Sequence, residues 1–184
     1  MRMIAPLVAL TLALPVFADE LPQGYVEIGR FTGTIDGTDT TLIATAHPEG
    51  ENSDLEYLGL FDQYTIKTAN GVGDYSPESL PWLEMTVQPD AVGEDTKTLR
   101  LDSLQLFTKD FFVPAYLAEV QAGYGTLALE NLEARKDGYI SFDFSADMPG
   151  TKMNELSEIV PDDNVPPTHI EGHFEGTLPE WEME

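Results

Sequence analysis

Two histidines and two glutamates alternate with other residues in His169-Ile170-Glu171-Gly172-His173-Phe174-Glu175. On a β-strand successive side chains point to opposite faces, so His169, Glu171, His173 and Glu175 share one face while Ile170 and Phe174 share the other. Imidazole and carboxylate are ligands for zinc and similar ions. Neighbours two apart are separated by roughly 7 Å and can approach one ion, whereas His169 and His173, roughly 13 Å apart, cannot easily do so. The same row is equally the solvated face of a sheet buried on its other side. His47 is the one further histidine, and nothing in the sequence places it beside them. A second oxygen-rich set, Asp162 and Asp163 in Pro161-Asp162-Asp163-Asn164, can supply part of a calcium shell, as can Asp36 and Asp39. Neither run matches the EF-hand loop. The candidate metal ligands are therefore His169, Glu171, His173, Asp162 and Asp163, with calcium or zinc as the ion. No motif calls for any other cofactor.

Other chemistries find less in the residues. The chain has no cysteine, so thiolate catalysis, disulfides and cysteine-based zinc sites are excluded. It has no Gly-x-Ser-x-Gly elbow, and Gly71-Val72-Gly73 lacks the further glycine and the lysine of a phosphate-binding loop. With 33 acidic residues against 9 basic ones, close carboxylate pairs arise by chance, so spacing alone assigns no acid–base pair. The formal net charge of −24 disfavours nucleic acid and anionic lipid as partners. It favours a divalent ion, a cationic ligand or a basic protein, and it also keeps a protein soluble. The aromatics Tyr75, Trp82, Phe107, Phe111, Phe112, Tyr116 and Tyr124 can line a cavity for a small apolar ligand or simply fill a core.

The elements that must position these residues come after a segment of another kind. Met1-Arg2-Met3, the apolar run Ile4 to Leu14 and the ending Val16-Phe17-Ala18 have the pattern of a secretory signal peptide cut near Ala18. The reading is of an exported chain, periplasmic or secreted, with residues 19–184 as a single acidic β domain. Loss of Arg2 leaves 8 basic against 33 acidic residues. No second apolar run long enough to span a bilayer follows.

Period-two alternation predicts strands over 25–35, 40–46, 55–60, 63–68, 82–88, 98–107, 125–135, 139–146 and 169–178, separated by turn-forming residues. Glu49 to Asp54, Ala69 to Asp74 and Pro89 to Asp95 read as loops. Lys136-Asp137-Gly138 predicts a hairpin with a two-residue turn. Short helices are predicted over 114–121, with an irregular strand as the alternative, and over 151–160, with a loop as the alternative. The predicted fold is an all-β antiparallel β-sandwich, with a closed lipocalin-like β-barrel as the alternative, carrying one or two short helices.

Gly29-x-Phe31-x-Gly33-x-Ile35 is echoed by Gly172-x-Phe174-x-Gly176-x-Leu178. A second copy starting at Gly172 would have thirteen residues, so this is no duplicated domain. The echo predicts that the two strands are neighbours in one sheet, the glycines leaving room for aromatic rings. The function expected from all this is a non-enzymatic binding or interaction module. A small apolar-ligand barrel and a divalent-metal-binding protein are the alternatives.

Overall fold

The computed structural model describes residues 21–47, 49, 52–72, 77–89, 99–109 and 112–183. The expected signal segment 1–18, residues 90–95 of an expected loop, Tyr75 and Phe111 lie outside them. Thirteen strands run in chain order: β1 Val26–Ile35, β2 Thr38–His47, β3 Asn52–Ser53, β4 Leu55–Leu58, β5 Gln63–Ala69, β6 Trp82–Pro89 and β7 Leu99–Phe107, then β8 Tyr116–Glu119, β9 Thr126–Ala134, β10 Tyr139–Met148, β11 Thr151–Met153, β12 Ile159–Pro161 and β13 Thr168–Thr177. Pro77–Ser79 and Glu180–Glu182 are short 3-10 turns, and Glu49 is also in 3-10 conformation.

The main sheet follows the order β8-β7-β6-β5-β2-β1-β13-β10-β9, antiparallel throughout. The path nearly closes on itself because the chain beyond β10 runs on past β9 and meets β8. Leu117 N donates to Pro149 O at 3.2 Å, Thr151 N donates to Ala115 O at 3.0 Å, and Tyr116 bridges Gly150. The opposite seam is looser. β2 and β5 share the pair Ile43↔Ala69, and beyond it β2 pairs with β3 while β5 pairs with β4. Asp54, at the corner between β3 and β4, clamps the seam: its Oδ2 accepts from Thr45 N and Thr45 Oγ1, each at 2.9 Å, and its own carbonyl accepts from Lys67 N at 2.7 Å. Burial pushes the Asp54 carboxyl above the usual aspartate range, against the lowering effect of the Thr45 donors. A sheet continuous at one seam and corner-like at the other fits both a flattened barrel and a sandwich with linked layers.

Inward positions of nearly every long strand join one contiguous core, including Phe31, Leu42, Ile66, Met85, Leu104, Phe142 and Phe174. The echoed segments pair directly: Gly29↔Gly176, Phe31↔Phe174, Gly33↔Gly172 and Ile35↔Ile170. Phe174 is also opposite Phe142 on β10, so three buried rings stand in register across β1, β13 and β10. A Cβ on Gly33 or Gly172 would lie 2.9 or 2.6 Å from the Phe31 ring, and one on Gly29 or Gly176 would lie 3.0 Å from the Phe174 ring. The rings thus occupy the space that four side chains would otherwise need.

Both predicted helices are strands. In 114–121, Val120 is exposed, as is Phe112 just before it, while the adjacent residues Leu117 and Ala118 are buried, because a strand is needed between the edge of β7 and the chain that follows β10. In 151–160, Met153 and Leu156 are exposed, so a helix would have no apolar face to bury. The segment turns instead on Asn154, whose Oδ1 accepts from Leu156 N and Glu158 N, each at 2.9 Å. Tertiary pairing outweighs local propensity in both places. The β9–β10 connection is also one residue longer than predicted: Arg135 N donates to Tyr139 O at 2.8 Å, and Gly138 has positive φ (82°), unlike Asp137. That is a turn closed by a left-handed glycine, a three-residue hairpin loop.

Candidate functional site

The alternation that buries Ile170 and Phe174 turns His169, Glu171, His173 and Glu175 to the outer face of β13, as the sequence predicts. β10 lies beside it with Ser141, Asp143, Ser145 and Asp147 on the same face, and register sets Asp147 opposite His169 and Asp143 opposite His173. Each histidine therefore meets its own aspartate. His169 Nδ1 is 2.8 Å from Asp147 Oδ1, and His173 Nδ1 is 2.7 Å from Asp143 Oδ1. The chains continue onto β9, where Thr126 Oγ1 donates to Asp147 Oδ2 at 3.0 Å and Asn131 Nδ2 donates to Asp143 Oδ2 at 2.6 Å. Two polar braces thus cross three strands on one face.

Asn131 reaches Asp143 because of a β-bulge. The β9–β10 register shifts between Ser141 and Asp143, and Asn131 takes a left-handed backbone with φ of 52°. Two residues then oppose one and the extra side chain is re-aimed. A sequence signal for this exists: Leu127 and Leu129 are two apart, but the next leucine of the stripe, Leu132, is three further on. The interval marks an added residue, and Asn131 tolerates the backbone it needs.

The sequence-predicted metal ligands are not brought together. Among the described residues no three histidine, aspartate or glutamate side chains converge where one ion could be held. Glu171 Oε2 stands 3.7 Å from His169 Nε2, and no third group completes that pair. Asp162 lies apart from this face, in the turn after β12, where its Oδ1 accepts from Asn164 N, Asn164 Nδ2 and Lys152 Nζ at 3.1, 2.8 and 3.3 Å. The Asn164 backbone donor is the largest influence holding the Asp162 carboxyl below the usual range. Asp163 is an exposed residue of that turn.

Ser141 Oγ lies 3.5 Å from His173 Nε2, giving Ser141, His173 and Asp143 the connectivity of a nucleophilic triad. The geometry does not serve attack on a substrate. Ser141 is 8% exposed, its contact with the ring is at the limit of a hydrogen bond, and β10 is paired on both sides, so neighbouring amides are committed to sheet ladders and do not form an oxyanion hole. The constellation braces the sheet. The described aromatics of that set do not line one cavity either. Trp82 and Phe107 form a small separate cluster with Ala69 and Leu80 on the outer side of β5–β7, and Phe112 is exposed.

A depression of about 550 Å³ lies between the rows, bounded by Thr32, Thr34, Glu130, Asp143, Glu171 and His173. Three of those six residues are acidic. The His169 hydrogen bond holds Asp147 below the usual carboxylate range, with Thr126 assisting; Asn131 and then His173 do the same for Asp143. In return the Asp147 bond raises the His169 imidazole. A raised histidine stabilises fully below its unfolded value of about 6.5, and the contribution fades as pH rises through the raised value. A lowered aspartate contributes above about pH 3.9 and loses that contribution as pH falls through its folded value. The His169–Asp147 brace therefore contributes most between these limits. His169→Gln is expected to melt below the parent at pH 5.5 and to converge with it at pH 8.5; an equal gap at both pH values would mean that charging of the pair does not stabilise the fold. No family model, curated protein or solved structure matches the chain.

Proposed function

We propose that the chain is an exported, non-enzymatic binding module that engages a basic protein partner through the outer face of β1, β13, β10 and β9. The observation that carries this reading is the depression on that face, where Glu130 and Glu171 are exposed beside Asp143 and no Lys or Arg lines the wall. Several basic residues are already tied to carboxylates: Arg30 to Glu27, Arg100 to Asp102, Arg135 to Glu133 and Lys152 to Asp162. The large acidic surplus is left to attract a cationic surface and to accelerate encounter. Large inward side chains packed at 0% exposure favour an outer binding surface over an apolar ligand held inside the barrel. Export rests on the Arg2, Ile4–Leu14 and Ala18 pattern.

A lysine-rich peptide titrated against the chain without residues 1–18 tests this. Glu130→Gln with Glu171→Gln is expected to weaken binding about five- to tenfold, from two charge pairs of up to about 0.7 kcal/mol each. Glu155→Gln with Glu158→Gln, on the β11–β12 hairpin, is expected to leave it within about twofold. Equal loss from both variants would show undirected attraction and overturn the assignment to this face.

A further inference from the structure

The outer side of β5–β8 differs from the His–Asp face in how its polar groups are used. Register lines up Thr65, Thr86, Ser103 and Glu119 in one row and Lys67, Glu84, Gln105 and Leu117 in the next. Over part of this surface lies a depression of about 380 Å³, to which Ile159 of the β11–β12 hairpin contributes. That volume is within the usual small-molecule range of about 300–1,000 Å³. Every residue lining it is half-buried or buried.

Here the hydrogen-bonding capacity is unspent. The side chains of Thr86, Gln88, Ser103 and Gln105 have no hydrogen-bond partner among the described residues, although all four line the depression. On the other face, by contrast, His169, His173, Asp143 and Asp147 are paired with one another. Amides and hydroxyls that face the depression and make no bond within the described residues are groups a polar ligand can engage, since each both donates and accepts.

The surrounding chemistry narrows the ligand. Asp102 is buried and held by Arg100 at 2.8 Å, while the Glu119 carboxylate lines the same wall, which opposes an anion. Strands β5, β6 and β7 are paired on both sides, and β8 pairs with β7 and with the chain following β10. The floor therefore offers an extended peptide no free strand edge, and recognition must go through side chains. Leu117 and Ile159 add an apolar wall. We infer that the β5–β8 groove binds a neutral, polyhydroxylated ligand of oligosaccharide type, its hydroxyls met by Gln88, Gln105, Thr86 and Ser103 and its C–H surface by Leu117 and Ile159. This site is separate from the face proposed above for a basic partner, and it stands or falls independently of it.

Side-chain amide resonances of a ¹⁵N-labelled chain report on the groove directly. Maltotriose, cellotriose, xylotriose and tri-N-acetylchitotriose are the probes. At least one is expected to shift the NH₂ signals of Gln88 and Gln105 saturably. Gln105→Leu with Thr86→Val is expected to weaken that sugar about tenfold or more, while Glu130→Gln with Glu171→Gln leaves it unchanged. Absence of saturable shifts from all four sugars in the parent chain, or shifts that map away from these glutamines, would overturn the inference. So would displacement of the sugar by a neutral extended peptide that shifts the same signals with higher affinity. The parent spectrum decides the matter even if the double variant does not fold.

Discussion

Phe174→Ala is expected to destabilise the fold by about 3–5 kcal/mol, a fall in thermal midpoint of about 10 °C or more for a chain of this length. Phe174 is wholly buried, stands between Phe31 and Phe142 in register, and packs against Phe142 at a ring-centroid distance of 5.5 Å. Its ring also covers Gly29 and Gly176, which have no side chains with which to refill the space. The cavity left by alanine cannot collapse easily, so the transfer and cavity costs add. Urea unfolding measures the change. Leu156→Ala, at a residue 77% exposed, is expected to stay within about 0.5 kcal/mol of the parent. Similar small values for both would mean that the three-ring row is not central to the core.

Gly33→Ala tests the complementary requirement, space where the strands approach. Its added Cβ would fall 2.1 Å from Glu171 O, 2.6 Å from Gly172 Cα and 2.9 Å from the Phe31 ring. Two of those three atoms are backbone, so no rotamer change relieves them and β1 must move away from β13. A loss of about 3 kcal/mol is expected, at the upper end for overpacking. Gly59→Ala is the matched control, because its Cβ would meet the Tyr57 ring at an ordinary 3.6 Å. Phe31→Leu should not rescue Gly33→Ala, since the nearest obstacle is the Glu171 carbonyl. Restoration of stability by that second change would place the constraint in the ring and refute the backbone account.

The strand pattern was legible because each long strand buries one face, and burial writes itself into the sequence with period two. The G-x-F-x-G echo was legible for a related reason: a segment that pairs antiparallel with its like places glycine opposite glycine and phenylalanine opposite phenylalanine. Among the short strands, β4 was legible within the predicted 55–60, but β8, β11 and β12 were not, because their conformation is imposed by the segments they join.

The candidate site divides in the same way. That His169, Glu171, His173 and Glu175 share an outward face follows from strand geometry and was determined by the sequence itself. That each histidine meets its own aspartate from β10 was decided by the β10–β13 register, a pairing between segments more than twenty residues apart. Closure of the sheet through β8, the Asp54 clamp and the amide-lined groove are likewise tertiary outcomes. The physical reason is that periodicity records which side of a strand is buried, whereas a site depends on which strands become neighbours and at what offset. Those choices are made by the whole core in competition, and no local stretch of residues carries them alone.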